Sequence, residues 1–138
     1  MPATEDGPVG DLDGCVPGRR AAITLRVGDE DTASAIGSGD IPVLATPRVL
    51  AIAEQASRMA LGDCLGSELT SVGSWVEIEH LSPSMVGDDV EAKAVLLGVH
   101  GRRLEFSVTV TSKDKEVAHI RHRRIIVERS KFLGRQAH

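Results

Sequence analysis

The chain has 138 residues, 41% hydrophobic and 26% charged, with a formal net charge of −4. That is enough for one domain with a buried core, and no apolar run approaches the ~20 residues that cross a bilayer, so no membrane partner is expected. Beyond residue 18 sixteen acids face sixteen bases, and one Trp, two Phe and no Tyr leave few rings for stacking, a balance that excludes a nucleic-acid binder.

Residues 1–18 hold three of the six prolines, four glycines, four acids and no base, and are expected to be a disordered acidic leader. Residues 19–138 then form a single domain. RAAITLRV (20–27) is the first strand, closed by Gly28-Asp29. Residues 29–45 are a long connection, a length that usually marks function in a compact domain. From Thr46 to Leu65 the chain reads as one helix. Val49, Ile52, Ala53, Ala56, Met59, Ala60 and Cys64 share a side at ~100° per residue, and Leu50 and Leu61 widen it. So broad a stripe predicts a helix covered on most sides.

After Gly66 the period switches to two. Strands are expected at 68–81, 90–99, 102–112 and 116–128, joined by SPSMVGDD, by His100-Gly101 and by Lys113-Asp114-Lys115. The order β, helix, four β-strands predicts an α+β fold in which an antiparallel sheet curls around one central helix. No second helix is predicted to cover the sheet, so self-association through strand edges or the outer sheet face is expected. Cys15 and Cys64 lack metal or redox spacing, and the N-terminus lacks a basic start and an apolar stretch, so a reduced, cytoplasmic setting is expected. Cys64 reads as a packed thiol rather than a nucleophile.

Several polar residues fall on apolar faces. Glu54 lies at the margin of the helix stripe, where a carboxylate is costly unless paired; Arg58 at i+4 is one available partner. His80 shares a face with Val76 and Ile78, and reads either as a satisfied core histidine or as a site residue. In the last strand Ala118, Ile120, His122, Arg124 and Ile126 share a face, so Arg124 requires an anionic partner or an interface. Thr46-Pro47 suits an N-cap followed by a first-turn proline, yet with Val49 at the third position no capping box commits the hydroxyl. Threonine, carboxylate and imidazole together suit acyl transfer or hydrolysis. No GxSxG, GxGxxG, phosphate loop or HExxH occurs, and the five histidines lack ligand spacing, so no metal site and no separate cofactor are expected.

The segments PVLATPRVLAIAEQA, VGSWVEIEHLSPSMVGDDVEAKAVL, GRRLEFSVTV and HRRIIVERSKF resemble the hot-dog superfamily, and within it the fluoroacetyl-CoA thioesterase-like group, over roughly residues 19–133. The GRRL strand speaks for the fold alone; the Thr–x7–Glu helix, the strand histidine and the late arginine are more discriminating. The family's active-site positions fall on Thr46, Glu54, His80 and Arg124, and Gly73 occupies its glycine. The resemblance implies a homodimer or higher oligomer with sites between subunits, an acyl-CoA substrate that brings coenzyme A with it, and thioester hydrolysis. Thr46 would orient the acyl group or the carboxylate, and Glu54 would attack the carbonyl or activate water. His80 would be the general base and partner of the carboxylate, while Gly73 and Arg124 would fix carbonyl, water or ligand. One departure stands out: SAIGSGDIPVLAT, before the threonine, has none of the family's aromatic lid residues, which points to a short or medium acyl chain other than a fluorinated one. Arg102 and Arg103 are placed to touch CoA phosphates or simply to be solvated. The competing readings are a non-hydrolytic acyl-CoA-binding protein and a hot-dog hydratase or dehydratase, although the helix start lacks the Asp–His pair of the latter.

Overall fold

The computed structural model describes Leu12 and residues 14–136. In chain order it has β1 (Arg20–Arg26), a 3-10 turn (Asp29–Asp31), α1 (Ala33–Ile36), α2 (Thr46–Leu61), β2 (Leu69–His80), β3 (Asp89–His100), β4 (Arg103–Ser112), β5 (Lys115–Glu128) and α3 (Arg129–Gln136). The strands make one antiparallel sheet in the order β1-β3-β4-β5-β2. The α+β architecture is the expected one: α2 lies in the sheet's curve, burying Val49, Ile52, Ala53, Ala56 and Ala60 against Val90, Leu96, Phe106, Val108 and Ile120. Three alanines on that face remove bulk and allow close approach of helix to sheet.

Register carries the site. One row of side chains runs across all five strands, Ile23–Ala92–Val110–Ala118–His80, and another runs Val99–Leu104–Arg124–Gly73. Both reach β2, an edge strand, because every inter-strand pair keeps its inner face in phase. Within β2 the pairing shifts between Gly73 and Trp75, making Ser74 an extra residue. The bulge changes which parity faces the helix: Leu69, Ser71 and Gly73 before it, Val76, Ile78 and His80 after it.

Four expectations are corrected. The helix stops at Leu61, where Gly62 takes φ +58°, so Cys64 lies beyond it, and Met59 is exposed rather than packed. The 29–45 connection, read in the sequence only as long, is folded internally. Thr32 accepts the Ala35 N–H to cap α1, and Gly37, with φ +90°, ends it. A further helix, α3, follows the last strand directly, where RSKFLGRQ carries too weak a stripe to be read as one. Cys15 and Cys64 are not separate thiols but a disulfide. Sequence distance hid the pair: the chain before β1 folds back on the end of α2, where Arg19 Nε donates to the Ala60 carbonyl at 2.8 Å and the Gly18 N–H to that of Leu96. The argument from thiols for a reduced compartment falls with it. Residues 1–11 and 13 of the expected leader lie outside the described residues, whereas Cys15 is buried.

Candidate active site

Thr46 is the first residue of α2 rather than its cap; Ala45 holds the cap position and has no side chain to close it. The Thr46 hydroxyl is instead hydrogen-bonded to His80 Nδ1 at 2.8 Å. A braced loop fixes this helix start. Buried Asp31 accepts from Arg48 Nε and from the Gly28 N–H, both at 2.8 Å, and the Ala45 N–H donates to its carbonyl. Burial pushes the Asp31 carboxyl up, but the Gly28 and Arg48 bonds outweigh it and hold it below the usual range.

His80 ends β2, anchored by the Leu81 N–H donating to the Val117 carbonyl. Its Nε2 is buried and makes no hydrogen bond to any described residue. Burial pushes the imidazole below the ordinary histidine range, with the Ser82 backbone opposing part of the shift. Thr46 and His80 face a cavity of about 390 Å³ walled by Ala33, Ile41, Val43, Leu44, Leu81 and Pro83. Ser38 and Ser82 complete a lining that is otherwise aliphatic.

A second cluster forms two turns along α2. Glu54 Oε2 lies 3.4 Å from Arg124 Nη1 and 3.9 Å from His122 Nε2, and these, not Arg58, are its partners. Arg124 is 4% exposed. Its Nε donates to Ser71 Oγ at 2.8 Å, its Nη2 to the Ser71 carbonyl at 3.0 Å, and its Nη1 reaches both Glu54 and His122. Burial pushes the guanidinium down from its ordinary value, and Glu54 counters it. Gly73 is opposite Arg124, and a Cβ there would sit 2.6 Å from Glu54 Oε2. The glycine is therefore what admits the carboxylate to the strand. Leu50, Gly73, Trp75, Val76 and His122 line a cleft of about 350 Å³ in front of Glu54. At 40% side-chain exposure, Glu54 is only half-buried, less than its sequence position suggests.

The five residues singled out in the sequence thus gather into two groups, Thr46 with His80, and Glu54 with Gly73 and Arg124. Within this chain His80 is not the partner of Glu54. Thr46 and Glu54 are ~12 Å apart along the helix axis, and the cross-strand neighbours of His80 and Gly73, Ala118 and Arg124, are ~20 Å apart along β5. His122 was missed as a site residue, although strand alternation already put it on the face of Arg124. Among the described residues, no three His, Cys, Asp or Glu side chains are grouped to hold a metal ion.

The sequence model of the fluoroacetyl-CoA-specific thioesterase family matches residues 27–130. The chain belongs to that family. It is a hot-dog thioester hydrolase, and both candidate groups lie within the matched span. A crystal structure of a point mutant of the fluoroacetyl-CoA-specific thioesterase FlK is similar at 25% identity and TM-score 0.83, covering 91% of this chain and 99% of that one. A hot-dog-like protein from Thermanaerovibrio acidaminovorans is similar in fold at 22% identity and TM-score 0.82, covering 89% and 91%. So is a thioesterase-superfamily protein from Thermus thermophilus, at 24% and 0.81, covering 89% and 93%. No curated protein matches the chain in sequence.

Proposed function

We propose that the chain hydrolyses a short or medium, non-fluorinated acyl-CoA to the free acid and CoA, at sites completed between two protomers. One observation carries this reading. Thr46 and His80 are bonded at the mouth of a largely aliphatic cavity while His80 Nε2, buried, has no partner among the described residues. An unpartnered buried nitrogen is costly, and a carboxylate or water brought against it by a second copy satisfies it. Glu54 is suited to be that group: it stands half-exposed beside Trp75 and Val76, two exposed apolar residues of the edge strand. A solved FlK structure carries fluoroacetate and CoA, which supports an acyl-CoA as the substrate here.

In this reading Thr46 orients the acyl group, His80 takes a proton, and Glu54 attacks the carbonyl or deprotonates the attacking water. Arg124 and the Gly73 backbone hold the carboxylate and the carbonyl oxygen. On the water route the C–O bond to water forms as the C–S bond breaks, and the proton taken from that water passes to the CoA thiolate. On the attack route the C–O bond to Glu54 forms as the C–S bond breaks. A water deprotonated by His80 then cleaves the anhydride, freeing the acid and the Glu54 carboxylate and giving its proton to the thiolate. A largely aliphatic wall without Phe, Tyr or Trp suits an alkyl chain, by shape and by the ~0.8 kcal/mol that each buried methylene contributes. The test is thiol release across a panel of acyl-CoAs of increasing chain length, with sedimentation on the same sample. Turnover of short or medium acyl-CoAs by a dimer is expected. Binding without release from any thioester would favour an acyl-CoA-binding protein, and a turnover-competent monomer would remove the shared site.

A further inference from the structure

His122 has an arrangement that fixes its protonation state by elimination. Its Nδ1 lies 3.0 Å from the Trp75 carbonyl, which can only accept, so Nδ1 carries the proton. Its Nε2 lies 3.1 Å from Arg124 Nη1, which can only donate, so Nε2 offers a lone pair. Both constraints are met by the same neutral tautomer and by no other state. The ring is 3% exposed and packs on Phe106 of β4, with centroids 6.3 Å apart. The groups around it are Glu54 from α2, Arg124 beside it on β5, and the Trp75 backbone from β2; Arg58 of α2 acts on Arg124 from further away.

We propose that His122 is a positioning residue which, as the neutral Nδ1–H tautomer, accepts from Arg124 and so aims the guanidinium at Glu54. The inference rests on Glu54 being the catalytic carboxylate of the proposed function. Ser71 holds two of the arginine's nitrogens through its hydroxyl and carbonyl. His122 holds the third, Nη1, which also reaches Glu54. Protonating His122 replaces its lone pair with a second donor facing a guanidinium. The clamp then opens, and Nε2–H turns to compete for Glu54. Burial and Arg124 both push His122 below the ordinary histidine range, with the Trp75 carbonyl and Glu54 opposing, so the neutral form persists at neutral pH.

The test combines a spectroscopic readout with kinetics on the full chain. Long-range proton–nitrogen-15 spectra near pH 7.5, assigned by loss of the signals in His122→Gln, should show a pyrrole-like Nδ1 and a pyridine-like Nε2. His122→Gln sets a non-titrating acceptor where Nε2 stood, and should keep kcat within a few-fold while weakening the acid fall of the pH profile. His122→Asn reaches only the Trp75 side, and should lower kcat on the order of 10-fold to 100-fold with KM little changed. A pyridine-like Nδ1, or an Asn variant with full kcat, overturns the proposal. If no acyl-CoA is hydrolysed by the wild type, the proposed function fails, yet the spectra still decide the tautomer. If Asn prevents folding, the Gln variant and the wild-type spectra carry the test.

Discussion

Gly73 and Glu54 meet across the helix–sheet boundary so closely that any side chain at 73 would occupy the space of the carboxylate, with a Cβ only 2.6 Å from Oε2. His122 Cε1 would be next, at 3.3 Å. Gly73→Ala should therefore fold, since the end of a glutamate side chain can swing aside, yet lose kcat on the order of 100-fold as Glu54 leaves its place. Thiol-release kinetics with a parallel thermal melt checks this. Wild-type turnover in the alanine variant would mean that the close approach is unused.

Glu54→Gln separates charge from shape. Gln keeps an oxygen for Arg124 but neither attacks nor takes up a proton usefully, so kcat should fall on the order of 100-fold or more. The stability cost should stay below about 1 kcal/mol, because Glu54 is substantially exposed and the ion pair is screened, and Ser71 and His122 still serve the arginine. Urea unfolding and turnover measured on one preparation decide it. Unfolding at unchanged specific activity would make Glu54 a structural partner only.

Stability should fall on acidification. His80 and His122 both titrate below the ordinary histidine value in the folded protein. Between that value and each lowered folded one, the unfolded chain binds more protons, so stability drops as pH falls through about 6.5 and below. Urea midpoints from pH 8 down to pH 5 should show the decline, with a smaller slope in His122→Gln. A midpoint that rises on acidification would contradict both shifts.

The disulfide between Cys15 and Cys64 closes a loop with a sequence separation of 49. On chain-entropy grounds it should contribute at most about 4 kcal/mol, less whatever structure the reduced unfolded chain retains. Cys15→Ser, or reduction, should lower the melting temperature by several degrees and leave the Thr46–His80 bond in place, since the Asp31–Arg48 pair braces that helix start independently. Melts with and without reductant are the check. Identical melts would show that the pairing adds nothing to the folded state.

Periodicity made the helix and the strands legible, because an apolar stripe at 3.6 and alternation at two are imposed by the same core that buries them. It also picked out Glu54, His80 and Arg124 as polar residues on apolar faces, and the helix-start pattern picked out Thr46. Grouping was not legible. That Thr46 bonds His80 while Glu54 joins Arg124 follows from β2 lying beside β5 in register, a long-range fact with no local signal. The disulfide was hidden for the same reason. The Asp31–Arg48 brace was hidden differently, inside a connection whose small residues show no period. His122 was readable from alternation beside Arg124, but its neutral form follows only from the carbonyl and guanidinium that face its two nitrogens.

The extra residue at Ser74 behaves like a reading-frame shift inside a strand. Upstream of it, odd-numbered positions look toward the helix; downstream, even ones do. Gly73 and His80 thus face inward together despite opposite parity. Losing that single residue would give a regular ladder in which Gly73 and His80 share one parity and still face inward. Drawing Ser74 into the ladder without shortening the strand would instead slip residues 75–80 by one position and turn His80 outward. The bulge is therefore what lets an odd spacing in β2 serve one face, keeping Gly73 opposite Arg124 and His80 opposite Ala118.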